Sequence, residues 1–219
     1  MFWRRYYAHN DQNGELNMLT AEDALKRLQE GNRRFAANAS IAATFLDSAR
    51  RAALLAGQAP FAIILGCSDS RVPAELVFDQ GLGDLFVIRV AGNIVAPSQV
   101  GSVEFAASRF GTQLVVVLGH TQCGAVTATL EALTGQAETS SSNLRSIVER
   151  VRPAVETVLA VGQHQNRDDI IRQAVRANVR ASVDHLKHGS ALLESLVHSA
   201  GLHIVGAEYS LETGIVEFF

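Results

Sequence analysis

Three short apolar runs, each followed by a stretch that reads as helix, constrain this chain more than any other feature. They are residues 61–65 (FAIIL), 85–90 (LFVIRV) and 114–118 (LVVVL). None alternates apolar with polar side chains, so each needs cover on both faces, as strands inside a helix-flanked parallel sheet do. Pro73 opens a short helix between the first two runs, and residues 99–110 set Val103, Ala106 and Phe110 on one helical face. Residues 125–133 continue as helix after the third run. The pattern predicts an α/β fold with a mostly parallel central β-sheet, flanking helices and right-handed crossovers.

The two ends of the chain add to this core. Residues 1–18 are polar and read as an extended tail. Thr20 is placed to cap a helix through the amide of Asp23, with Leu25, Leu28 and Phe35 at helical spacing and Gly31 as a weak point. A second helical stretch covers 47–56 and stops at Gly57. The 20–56 segment is amphipathic but precedes the sheet, so it reads as an N-terminal helical arm without an obvious place in one compact unit. After a small-residue loop at 135–142, helices are expected over 144–161, 168–188 and 191–200. Residues 202–207 form a further strand, and 215–219 a C-terminal antiparallel edge strand joined to it through a turn at 212–214. The whole chain, 1–219, has the length of a single domain.

Composition excludes several classes. A hydrophobic fraction of 47% supports a sizeable core and argues against global disorder. A net charge of -3 and a pI of about 6.2 leave no basic excess for nucleic acid. No apolar run approaches the roughly 20 residues that span a bilayer. The opening MFWRRYYA lacks an apolar segment long enough for a secretory signal. That points to the cytoplasm, or to the periplasm or an organelle if a targeting segment has been removed. Two cysteines do not make a disulfide framework and suit a reducing compartment.

Those two cysteines carry the chemistry. Cys67-Ser68-Asp69-Ser70-Arg71 follows the first apolar run, and His120-Thr121-Gln122-Cys123-Gly124 follows the third. Both segments lie at the carboxyl ends of expected parallel strands, where open α/β sheets place their sites. Cys67, His120 and Cys123 offer Zn2+ two thiolates and an imidazole, with a fourth position open, which is the pattern of a catalytic zinc site. Asp69 and Arg71 are close enough in a turn to pair, which keeps Asp69 ionised and turned from the metal. Asp69 can then accept a hydrogen bond from a zinc-bound hydroxide and orient its lone pair at an electrophile. If Arg71 lets go, Asp69 can take the fourth position and close the site. Three other readings stay open at this level: two buried small residues, a redox disulfide, or a closed structural zinc site with Asp69 as fourth ligand. The other histidines (His9, His164, His185, His188, His198 and His203) show no partnering pattern and read as surface or core residues.

Taken together, the Cys67-to-Arg71 and Gly119-to-Gly124 motifs resemble those of the β-class carbonic anhydrases. The resemblance runs from about Thr20 to the C-terminus and includes Gly92-Asn93 and the closing segment from Val205 through Tyr209 to Gly214. It implies one Zn2+ per subunit on Cys67, His120 and Cys123, with Asp69 a conditional ligand of a closed form and Asp69 with Arg71 a catalytic dyad. It implies reversible hydration of carbon dioxide to bicarbonate and a proton, in a homodimer or dimer-based oligomer whose N-terminal helices wrap a partner. The pocket residues it implies are Gln58 and Phe86 from the partner subunit, with Ala91, Phe105 and Gly124. Phe105 stands where plant-type members carry a tyrosine. Ile64 stands where the bicarbonate-inhibited bacterial subgroup carries a tryptophan. The likeness is therefore to the plant-like subgroup, with an open site near neutral pH. Two other functions use the same scaffold or metal: hydrolysis of carbonyl sulfide or carbon disulfide, and a non-catalytic zinc-binding or bicarbonate-sensing role.

Overall fold

The computed structural model describes residues 19–41, 47–136, 141–161 and 166–219; the expected tail at 1–18, His9 and His164 lie outside these. Among the described residues five strands form, β1 (Ala62–Gly66), β2 (Leu85–Arg89), β3 (Leu114–His120), β4 (His203–Tyr209) and β5 (Val216–Phe218), in the sheet order β2-β1-β3-β4-β5. The first four are parallel, and β5 runs antiparallel to β4 at the edge, with Glu208 beside Glu217. This is the mostly parallel sheet with an antiparallel edge strand that the apolar runs predict.

Eight α-helices surround the sheet among the described residues: α1 (Ala21–Ala36), α2 (Ser48–Ala53), α3 (Ala74–Val77), α4 (Pro97–Phe110), α5 (Gly124–Leu133), α6 (Ser142–Val161), α7 (Arg167–His188) and α8 (Ala191–Ser199). Successive side chains of a strand face opposite ways, and here both faces are buried. Ile64, Leu114, Val116 and Leu118 meet α1 and α3 through Leu28, Val77 and Phe78. Ile63, Leu65, Val115 and Val117 meet α4, α7 and α8 through Val103, Val179, Leu186 and Leu193. A third cluster gathers Val126, Leu130, Val151, Val155 and Val175 of α5, α6 and α7 around Cys67 and Cys123. The runs of β1 and β3 read as apolar throughout because each of these two strands separates two cores.

Helix ends follow local chemistry. Thr20 accepts the Asp23 amide at 3.2 Å, as its position predicts. α4 begins at Pro97, two residues before the expected start, because proline's fixed φ and missing N–H suit the first helical position. It stops at Gly111, which takes the left-handed φ of 68°.

The expectation for the 20–56 arm needs correction in one part. α1 has a place on its own chain. Asn32 is 4% exposed, donates to the carbonyls of Val77 (3.1 Å) and Gly214 (2.9 Å), and accepts the Val216 amide at 2.8 Å. One amide side chain thereby ties α1 to α3 and to the turn of the terminal hairpin. Gly31 is the reason the helix comes so close: a Cβ there would lie 1.8 Å from the Phe78 carbonyl oxygen. The sequence pattern weighs Gly31 only as a helix weakness, because its tertiary neighbour is 47 positions away. α2, by contrast, buries no residue.

The strand order places the site. The chain steps from β1 to β2 on one side, then returns to β3 on the other side of β1. The crevice between the carboxyl ends of β1 and β3 is therefore the topological switch point, where doubly wound sheets bind ligands. Cys67 follows β1, and His120 ends β3.

Candidate metal centre

β1 and β3 pair in parallel through Gly66 beside Leu118, so Cys67 emerges next to the end of β3. β3 runs on through His120, two residues beyond the apolar run. Gly119 permits this, since a Cβ there would sit 2.5 Å from Val179 Cγ2 of α7. The chain then turns tightly, with Gln122 at a left-handed φ of 56°, and Cys123 caps the N-terminus of α5. The ligand atoms of Cys67, His120 and Cys123 lie within 4.8 Å of one another. All three residues are buried, and both thiols are free.

The imidazole is set in one tautomer. Nδ1 lies 2.9 Å from the Thr121 carbonyl oxygen, which only accepts, so Nδ1 carries the proton. Nε2 is left with a lone pair, is buried, and has no hydrogen-bond partner. A buried nitrogen aimed at two thiols without a partner is costly unless a cation occupies the space between them. The donor set fits that cation: two soft thiolates and a neutral imidazole match Zn2+ in type and cancel its charge.

Proton binding in the cluster supports the same fit. Cys67 is pulled down to about 4, first by the hydrogen bond from Cys123, against burial and with help from His120. Cys123 is pushed up by its contact with Cys67 and by burial, while the amides of Val126 and Ala125 at the start of α5 pull the other way. One proton is thus shared between two sulfurs, and the second thiolate forms fully only when a cation replaces it. For His120, burial opposes a charged ring, but the Cys67 thiolate outweighs it and raises the proton affinity.

Asp69 and Arg71 do pair. The Arg71 Nε donates to Asp69 Oδ1 at 2.9 Å and its Nη2 to Oδ2 at 2.7 Å, in a bidentate fork. The Arg71 amide adds a third bond to Oδ1 at 3.0 Å. The Arg71 side chain holds the carboxyl well below the usual carboxylate range, although partial burial works against this. Asp69 Oδ2 stands 3.8 Å from His120 Nε2, so it borders the ligand cluster while bound to Arg71.

The expected pocket residues divide into two groups. Ala91 and Gly124 adjoin the cluster: Gly124 opens α5 after Cys123, and the Gly92 amide after Ala91 donates to Cys67 Sγ at 3.4 Å. Gln58, Phe86 and Phe105 are elsewhere. Phe86 pairs with Ile63, four residues before Cys67, about 13 Å along the strand. It meets Phe105 and Phe110 with ring centroids 6.1 and 6.0 Å away. Gln58 joins Phe105 and Phe110 in a cleft of about 510 Å³. One chain therefore does not bring these three to its own cluster. Ile64, at the position of interest for bicarbonate inhibition, is fully buried in the core below α3. The described remaining histidines, His185, His188, His198 and His203, are exposed.

Two supporting residues escape a sequence reading. Asn178 and Ser182 of α7 donate to the Gly92 and Asn93 carbonyls at 2.8 and 3.1 Å, holding the loop whose amide meets Cys67. Their only signal in the sequence is two polar residues four apart on a helix, which many solvated helices share.

Comparison with known proteins agrees with this geometry. A family model described as carbonic anhydrase matches residues 62–216, more than two thirds of the chain. Carbonic anhydrase 2 of Mycobacterium tuberculosis (strain ATCC 25618 / H37Rv) is 41% identical over 192 residues, covering 87% of this chain and 89% of that protein. The carbonic anhydrase of Mycolicibacterium smegmatis is 39% identical over 194 residues, covering 89% and 91%. Among solved structures, the β-carbonic anhydrase CafA of Aspergillus fumigatus superposes with a TM-score of 0.71 at 26% identity, over 90% of this chain and 91% of that one. The β-carbonic anhydrase CcaA gives 0.71 at 27% identity, over 89% and 94%. The chain belongs to the carbonic anhydrase family, in its β class.

Proposed function

We propose that residues 1–219 form one catalytic domain that hydrates carbon dioxide reversibly to bicarbonate and a proton, with Zn2+ held by Cys67, His120 and Cys123. The observation that carries this reading is the buried, partnerless Nε2 of His120 facing two free thiols. When bound there, zinc supplies a Lewis acid that makes water nucleophilic near neutral pH. The chain's own groups do the rest. Asp69 Oδ2 accepts a hydrogen bond from the attacking oxygen and turns its lone pair toward the substrate carbon. Arg71 keeps Asp69 ionised and away from the fourth ligand position. The Gly124 N–H, unpaired in the first turn of α5, is placed to steady a substrate oxygen, and Ala91 lines the apolar side.

The intact Asp69–Arg71 fork favours an enzyme over a zinc-binding or bicarbonate-sensing module, which has no use for an oriented nucleophile. The names of the relatives favour carbon dioxide over carbonyl sulfide or carbon disulfide. Gln58, Phe86 and Phe105 reach a site in this reading only across an interface with a second copy. Leu55 at 89%, Phe105 at 52% and Leu192 at 45% exposure supply apolar surface for one. No described helix is long and apolar enough to cross a membrane. Two free thiols suit the cytoplasm. The test is stopped-flow carbon dioxide hydration on metal-free protein titrated with zinc. Activity is expected to rise linearly and stop at one zinc per chain; hydration that ignores zinc, or none at full loading, refutes the proposal.

A further inference from the structure

We propose that Arg89 is a positioning residue for the metal centre: its guanidinium fork fixes the turn that carries both Cys67 and Asp69. This rests on the reading of the Cys67–His120–Cys123 cluster as a zinc site. Arg89 is the last residue of β2, level with Gly66 at the end of β1. The β1–β2 ladder closes there with the Val90 amide on the Gly66 carbonyl at 3.1 Å. Beyond Gly66 the β1 chain leaves the sheet, and Arg89 takes over from the backbone. Its Nε donates to the Cys67 carbonyl at 2.9 Å, and its Nη2 donates to the Asp69 carbonyl. Those are the two residues of the turn whose side chains face the cluster.

The geometry makes this a matter of side-chain aim. The guanidinium is planar, so its two donors hold the two carbonyls at a fixed separation. The Asp69 carbonyl also accepts the Val72 amide at 3.1 Å, which closes the turn from its far side. With the main chain fixed at both ends, the Asp69 carboxylate meets Arg71. Rotation of the Asp69 peptide would release the carboxylate, which already stands 3.8 Å from His120 Nε2, to turn toward the ligand cluster. Arg89 therefore biases Asp69 toward Arg71 without touching the reacting atoms. It lies outside both motifs, 22 positions after Cys67, which is why sequence spacing gives it no role.

The test uses the full chain loaded with cobalt(II), as wild type, Arg89→Met and Arg89→Lys, with azide as a probe of the fourth position. Wild type is expected to show thiolate-to-cobalt charge transfer and a visible spectrum that responds to azide. Arg89→Met should keep the charge transfer, since the three ligands remain, but need at least about tenfold more azide, because both charge-assisted hydrogen bonds to the turn are lost and even one is worth about tenfold. Its zinc form should lose about tenfold in kcat with little change in KM. Arg89→Lys, whose single point donor reaches one carbonyl, should fall between the two and serves if the methionine variant does not fold. Wild-type azide response in both variants overturns the proposal, as does a fall in kcat with unchanged azide response, which marks a merely structural role. Absence of thiolate-to-cobalt charge transfer in wild type overturns the zinc-site reading itself, and the proposal with it.

Discussion

Replacing Cys123 by serine is expected to empty the cluster of zinc and reduce hydration to the buffer rate. A serine hydroxyl has no thiolate to offer at neutral pH, so the site keeps only Cys67 and His120 as ligands. Removing one hydrogen bond that merely supports a zinc ligand costs about 10- to 100-fold in affinity, and removing a ligand outright should exceed about 100-fold. The fold should survive. Cys123 contributes one small side chain to a cluster that Val126, Leu130, Val151, Val155 and Val175 also build. The effect is read by metal analysis after gel filtration, alongside stopped-flow rates and a thermal melt. Serine protein that retains one zinc per chain and full activity would remove Cys123 from the site.

Changing Asp69 to asparagine should produce the second large loss, by a different route. The amide keeps the shape and can still accept the Arg71 amide that now meets Oδ1 at 3.0 Å. It loses the charge that pairs with Arg71 and the ability to take a full hydrogen bond from the nucleophile at Oδ2. Losing one preorganised hydrogen bond to a reacting group costs about 10²- to 10³-fold, so kcat should fall at least about 100-fold. Zinc content should stay at one per chain, because Asp69 is held by Arg71 and is not among the three clustered ligands. Loss of rate with zinc retained separates this variant from Cys123→Ser. Full activity in Asp69→Asn with bound zinc would end the dyad's role.

Much of this was readable from the chain, for a physical reason. Residues 61–65 and 114–118 are apolar at every position because each strand divides two cores, and that duty leaves no other sequence solution. Cys67 and His120 are legible because they stand where those strands end, at the switch point between β1 and β3. Legibility fails where contacts are long-range. Asn32 reads as an ordinary helix residue, yet it bonds Gly214 and Val216 across more than 180 positions. Gly119 enters the sequence reading only as the start of a motif, yet it keeps β3 going so that His120 ends a strand under α7. Arg89 stands inside the run at 85–90 with no role of its own in the sequence reading, yet it grips two carbonyls of the neighbouring turn. The Gln58, Phe86 and Phe105 group rests on resemblance alone. Their remoteness from the cluster in one chain follows from the register that sets Phe86 beside Ile63.

X-ray absorption at the zinc edge of the purified chain, near pH 8, tests the metal centre most directly. Two sulfur ligands at about 2.3 Å and two lighter ligands at about 2.0–2.1 Å are expected, one from His120 Nε2 and one from solvent. A zinc environment without sulfur, or with four protein ligands that do not change when an anion is added, would contradict an open site built on Cys67, His120 and Cys123.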